Sequence, residues 1–272
     1  MKKFMIRCDI EGVSGVVSYE QAEPGKSEFE FGKRMFMSDL KALIDGLNDG
    51  GADEIWIYDE HYYGRNIDLD NLNDNVFCIC GKPPYLSDWA GGLDETFSGL
   101  ILLGFHSKRG TQNALLNHTY EPDIANITIN GVSVGEIGME TAIAGVYNVP
   151  LVMITGDSEG INEAKKLADN VVGVSVKESL SEYGALCYPV NVTKKMIYNA
   201  AKKVAEGIPE VKPYNVGRAK VEFSLKPGKY TDIYKSLYPV ENNISVIEGE
   251  TVLDAYAQYW NRKLICQKQM GD

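Results

Sequence analysis

The chain has 272 residues, 44% hydrophobic and 24% charged, enough apolar material for one large buried core or two joined ones in a soluble globular protein. Its 38 acidic residues outnumber 27 basic ones for a formal net charge of -11, which repels a phosphate backbone and an anionic membrane surface. Nucleic acid and membrane are therefore excluded as first partners.

The opening MKKFMIRCDIEG has Arg7, Asp9 and Glu11 interrupting its apolar run too early for a signal core or a membrane span. Five cysteines, Cys8, Cys78, Cys80, Cys187 and Cys266, are odd in number and irregular in spacing, which suits reduced thiols better than a disulfide framework. A cytoplasmic location is expected. From the start, KKFMIRC, SEFEFGKRMFMSDLKALIDGLNDGG and EIWIYD follow one another as strand, helix and strand, one βαβ unit. Phe31, Met35, Leu40, Leu43, Ile44 and Leu47 keep near-helical spacing, and Gly50-Gly51 ends that helix. NVFCIC, LILLGF and PLVMIT read as further strands. Between the last two, ANITINGVSVGEIG predicts a hairpin turned at Asn130-Gly131, a pair suited to the positive φ angles of a type I′ turn, then a helix from Glu136 to Tyr147. DSEGINEAKKLADN predicts a helix capped by Asp157 or Ser158, and VVGVSV a strand. VTKKMIYNAAKKVAEG, KVEFSL and VLDAYAQYWNRKLI then predict helix, strand and closing helix, with GIPEVKPYN as a connector.

This order predicts an α/β fold: a largely parallel sheet flanked by helices over residues 1–190, with a smaller C-terminal α/β lobe over 191–272 packed on it. Ligands in such sheets lie beyond the carboxyl ends of the strands. The first strand runs into Asp9 and Glu11, the EIWIYD strand into Asp59, Glu60 and His61, and the LILLGF strand into His106. His118 is the third of three histidines and close enough in sequence to return to the same rim. Glu136 opens a helix between glycines that permit close backbone approach. In extended backbone, Asp9 and Glu11 would point the same way, about 6–7 Å apart. Carboxylates mixed with imidazoles suit Zn²⁺ or Mn²⁺ better than Mg²⁺ or Ca²⁺, and a carboxylate bridging two metals is a common hydrolase device.

Other features carry no site. Cys78 and Cys80 lack a second cysteine pair and read as alternating strand residues. GVSG and GEIG miss the phosphate-loop spacing, and the paired lysines at 165–166, 194–195 and 202–203 read as solvated helix faces.

CDIEGVSG, DEHYYGRN, LLGFHSKRGT, NHTY and NGVSVGEIGME, in that order, resemble the motifs of the dinuclear zinc D-aminopeptidases associated with bacterial dipeptide-transport operons. The likeness runs from the start to about Val176, with Cys8 where the family carries serine. The resemblance implies that Asp9, Glu11, His61, His106 and Glu136 ligate two zinc ions, with Asp9 as the bridge, and that His118 is catalytic. It also implies a metallopeptidase that releases an N-terminal D-amino acid from short peptides and forms a ring-shaped homo-oligomer. Two other readings share the same donors: a hydrolase of a different amide or ester, and a peptide- or metal-binding module without turnover.

Overall fold

The computed structural model describes residues 1–271. The first half runs β1 (Lys3–Cys8), α1 (Tyr19–Ala22), α2 (Phe29–Asp49), β2 (Glu54–Asp59), β3 (Val76–Ile79), β4 (Gly99–Phe105), β5 (Ile124–Ile129), β6 (Val132–Val134) and α3 (Glu136–Val146). It continues with β7 (Leu151–Asp157), α4 (Ser158–Leu167), β8 (Val172–Ser181), β9 (Gly184–Cys187), α5 (Val190–Glu206), β10 (Ala219–Leu225), α6 (Lys229–Leu237), β11 (Ile244–Gly249) and α7 (Val252–Met270).

One sheet has the order β3-β2-β1-β4-β7-β8-β9. Its pairs are parallel from β3 to β8, and β9 folds back antiparallel on β8. β1, β4 and β7 are buried along their whole length, as inner strands covered on both faces must be. Phe4, Ile6 and Cys8 pack with α2 and α5 on one face, while Met5 packs in the other core, with α3, α4 and α7. Cys8 thus acts as a small apolar core residue, and burial pushes its thiol well above the usual range.

The second sheet is antiparallel, in the order β11-β10-β5-β6. The β5–β6 hairpin turns at Asn130 and Gly131 with φ of 51° and 83°, the angles the Asn-Gly pair predicts. β5 pairs with β10 and α5 packs on α2, so contacts run across residue 190 in both directions. Asp157 caps α4 by accepting the N–H groups of Glu159 and Gly160. No described helix is long and apolar enough to cross a membrane.

Candidate metal centre

The turn after β1 lies flush on the end of β4. Asp9 N–H donates to the Leu103 carbonyl at 2.8 Å and Gly12 N–H to the Gly104 carbonyl at 2.7 Å. Gly104 has φ +72°, and a Cβ there would overlap the Asp9 carbonyl and Val13; a Cβ on Gly12 would overlap the Phe105 carbonyl. Only glycine at both positions permits this approach, which sets Asp9 and Glu11 beside the residue after β4, His106. The two acids converge through a turn that begins after Cys8, not along extended strand.

His61 comes from the loop after β2. Asp59, fully buried, shapes that loop by accepting the N–H of His61 at 3.2 Å, the N–H of Asn66 at 2.7 Å and the Asn66 side-chain amide at 3.0 Å. Glu60 turns away to Arg7. Of the three polar residues ending β2, only His61 therefore reaches the cluster. Three non-glycine residues flanking the histidines, Tyr62, Leu116 and Tyr120, hold φ of 46°, 46° and 53°, the sparsely populated left-handed region that clusters at working sites.

Asp9 joins two groups. Its Oδ1 lies 2.7 Å from His61 Nδ1, and its Oδ2 lies 3.4 Å from His106 Nε2. Glu11 Oε2 is 3.2 Å from His61 Nδ1. On the other side, Glu136 Oε1 is 3.7 Å from His106 Nε2 and 4.0 Å from His118 Nε2, with the two imidazoles stacked at 4.0 Å. Asp9, Glu11 and His61 form one compact donor group, and His106, His118 and Glu136 the other. All six residues that the family resemblance picks out come together; His118, at 20% side-chain exposure, is the most open.

Each imidazole spends one ring nitrogen on a backbone carbonyl: His61 Nε2 on Ala22 at 2.6 Å, His106 Nδ1 on Ser107 at 2.9 Å, His118 Nδ1 on Leu116 at 2.9 Å. That fixes the proton there and turns the other nitrogen inward, as outer hydrogen bonds do for metal-binding histidines. His106 Nε2 and Glu11 Oε2 are buried without a hydrogen-bond partner, and such orphaned atoms are costly unless something else meets them. Burial disfavours the imidazolium of His61, yet Glu11 and Asp9 raise it well above the ordinary value. The same contest takes His106 to about 10 through Asp9 and Glu136. Burial opposes the Asp9 carboxylate too, but His106 and His61 hold it well below the usual range. Such a field would favour a cation placed among these donors.

Local pattern does not reveal what holds the Glu11 turn. Lys177, fully buried, reaches from β8 and donates to the carbonyls of Glu11 at 2.7 Å, Val13 at 2.8 Å and Val16. Buried Asp39 on α2 accepts the N–H and the hydroxyl of Ser14, each at 2.8 Å. Lys177→Met is expected to take the ammonium from all three carbonyls and to lower unfolding free energy by about 1–3 kcal/mol or more. Urea denaturation reads this, and an unchanged midpoint would show that the turn holds itself.

A parallel sheet with adjoining carboxylate–imidazole groups at the carboxyl ends of its strands defines an α/β protein of the metallohydrolase class. The family model Peptidase_M55, described as D-aminopeptidase, matches residues 1–259; the chain belongs to that family. A D-aminopeptidase of Bacillus subtilis (strain 168) is 27% identical over 211 residues, 78% of this chain and 76% of that protein. The solved structure described as "Zn-dependent D-aminopeptidase DppA from Bacillus subtilis, a self-compartmentalizing protease" superposes with a TM-score of 0.88 at 22% identity, over 98% of this chain and 97% of that one, and so shares the fold.

Proposed function

We propose that this chain is a dinuclear, zinc-dependent aminopeptidase that removes an N-terminal D-amino acid from short peptides. The observation that carries the reading is Asp9, whose two oxygens face histidines of the two donor groups. Asp9, Glu11 and His61 would hold one ion, and Asp9, His106 and Glu136 the other. The orphaned His106 Nε2 and Glu11 Oε2 and the mixed nitrogen–oxygen donor set fit such ions. When bound, zinc supplies Lewis acidity and an acidified water. The family description and the zinc dependence stated for the B. subtilis structure support both parts.

His118 has the geometry of the proton carrier. Its Nδ1–H is tied to the Leu116 carbonyl, its ring is braced by the edge of Tyr19 at 5.7 Å, and Nε2 is left facing Glu136 to take or give a proton. His118 also lies within the second donor group, which favours a second reading in which it ligates. His118→Ala separates the two: a proton carrier loses turnover with its metal retained, while a ligand loses both. Chelator-sensitive hydrolysis of D-alanyl but not L-alanyl dipeptides tests the proposal as a whole; turnover that survives full metal removal would overturn it.

Metal binding should release protons. The neighbouring carboxylates favour the protonated form of both His61 and His106. Metal requires their lone pairs, so affinity rises with pH through neutrality toward about 10. Calorimetry in buffers of different ionisation enthalpy is expected to show more than one proton released per chain. No net release would remove these imidazoles from the site. The reading includes a cytoplasmic, ring-shaped homo-oligomer, in line with the self-compartmentalization stated for the B. subtilis structure.

A further inference from the structure

Two lysines from distant parts of the chain converge beside the donor groups. Lys82, in the loop after β3, donates to the carbonyl of Glu60, the residue before His61, and lies 3.5 Å from Glu60 Oε2. Lys263, on α7, lies 3.2 Å from Glu121 and 5.5 Å from the centre of the Tyr120 ring. Tyr120 in turn donates its N–H to Glu136 at 2.7 Å. Both ammonium groups sit over one ring, Trp260, at 5.6 and 5.2 Å. The pair therefore spans from the His61 side of the cluster to the Glu136 side.

The acids near these lysines are shared. Glu60 also serves Arg7 and the Tyr85 hydroxyl, and Glu121 also accepts Gln267 at 3.0 Å. Two buried groups against Lys82 lack any hydrogen-bond partner: the hydroxyl of Tyr58 and the indole nitrogen of Trp260. Tyr58 is fully buried and Trp260 is 5% exposed. An indole nitrogen only donates, and an ammonium only donates. Glu60 and Glu121 are thus divided among several donors, and the indole N–H has none to meet, so an acceptor-rich anion would take up the donor capacity left on these groups, through the charge-assisted bonds that are the strongest an ammonium forms. The lysine side chains keep 17% and 12% exposure, so the place is not sealed.

We infer that Lys82 and Lys263, over Trp260, form a subsite for the free C-terminal carboxylate of a short peptide. The inference rests on the proposed aminopeptidase reading and adds its substrate class. Lys82 bonds the carbonyl of the residue before His61, and Lys263 packs on the ring of Tyr120, whose N–H bonds Glu136, so the pair borders residues of both donor groups. The C-terminal helix α7 then contributes to substrate choice although it carries none of the donor residues.

The test compares D-alanyl-D-alanine with its C-terminal amide on the metal-loaded protein. The acid is expected to be preferred in kcat/KM by roughly 10–100-fold, the range of one or two charged hydrogen bonds. Lys263→Met and Lys82→Met should collapse that ratio toward one, chiefly through KM, and Lys263→Arg should restore part of it. Equal use of acid and amide by the wild type, or a variant that loses both substrates alike with metal content and melting temperature retained, overturns the subsite. Failure to cleave either peptide would count against the aminopeptidase reading instead. Tryptophan emission titrated with N-acetyl-D-alanine and its amide then decides the subsite alone: binding of the acid only, lost in Lys263→Met, supports it, and no difference between the probes overturns it.

Discussion

Asp9→Ala is expected to cost the protein its metal pairing and at least about 100-fold in kcat/KM, beyond the 10–100-fold usual for outer partners of metal ligands. Asp9 is the residue that touches both donor groups, through Oδ1 to His61 and Oδ2 to His106. The Ile10 N–H holds Oδ1 in place at 2.9 Å. Alanine leaves Glu11 and His61 facing one way and His106 and Glu136 the other, with no shared oxygen between them. On the proposed dinuclear reading, elemental analysis after dialysis should fall from two ions per chain to one or fewer, with circular dichroism unchanged. A variant that keeps two ions and full turnover would show that Asp9 bridges nothing.

Arg7→Ala is expected to be the most damaging change away from the metal donors, with a loss of about 3–5 kcal/mol of unfolding free energy. Arg7 is wholly buried in β1. It pairs with Glu60, with Glu140 at 3.4 Å, and with the Tyr85 hydroxyl and the Ala90 carbonyl. Its guanidinium also stacks 4.7 Å from the centre of the Tyr58 ring. Burial pushes the Glu140 carboxyl up to about 8 even against the pull of Arg7; without Arg7 nothing so near opposes that burial. Removing one partner strands the others in a low dielectric, which is why breaking such a cluster costs more than its net worth. Arg7→Ala with Glu140→Gln should recover part of the loss, and the coupling measured in such a cycle is the interaction itself. A loss under about 1 kcal/mol in the single variant would show that water or relaxation replaces the arginine.

The same cluster links stability to the working face. Glu60 is held by Arg7 and Tyr85 and lends its carbonyl to Lys82, while the next residue, His61, faces Asp9. The loop that presents His61 to the candidate site is thus built on a buried ion pair. Arg7 variants should therefore lower metal affinity as well as stability.

Much of the candidate site is legible in the chain itself. Apolar runs predict β1, β2 and β4, and parallel strands offer their ligands at the carboxyl ends, so Asp9, Glu11, Asp59, Glu60, His61 and His106 stand out by position, and only packing separates His61 from Asp59 and Glu60. Asn130-Gly131 predicts its hairpin because few residue pairs accept two successive positive φ angles, and Glu136 follows as a helix start. These are local consequences of backbone sterics and side-chain type, which sequence spells out residue by residue. Tertiary structure alone decides the rest. Arg7 reads as a charge that interrupts an apolar strand, and proves to be buried because Glu60, Glu140 and Tyr85 arrive from three other segments. Lys177 meets the Glu11 carbonyl across 166 positions, the β5–β6 hairpin finds β10 beyond residue 190, and Lys263 is carried to Tyr120 by the last helix. A lysine destined for solvent and one destined to hold a buried turn have the same local pattern. What separates them is the desolvation and pairing that exist only once distant segments have packed together.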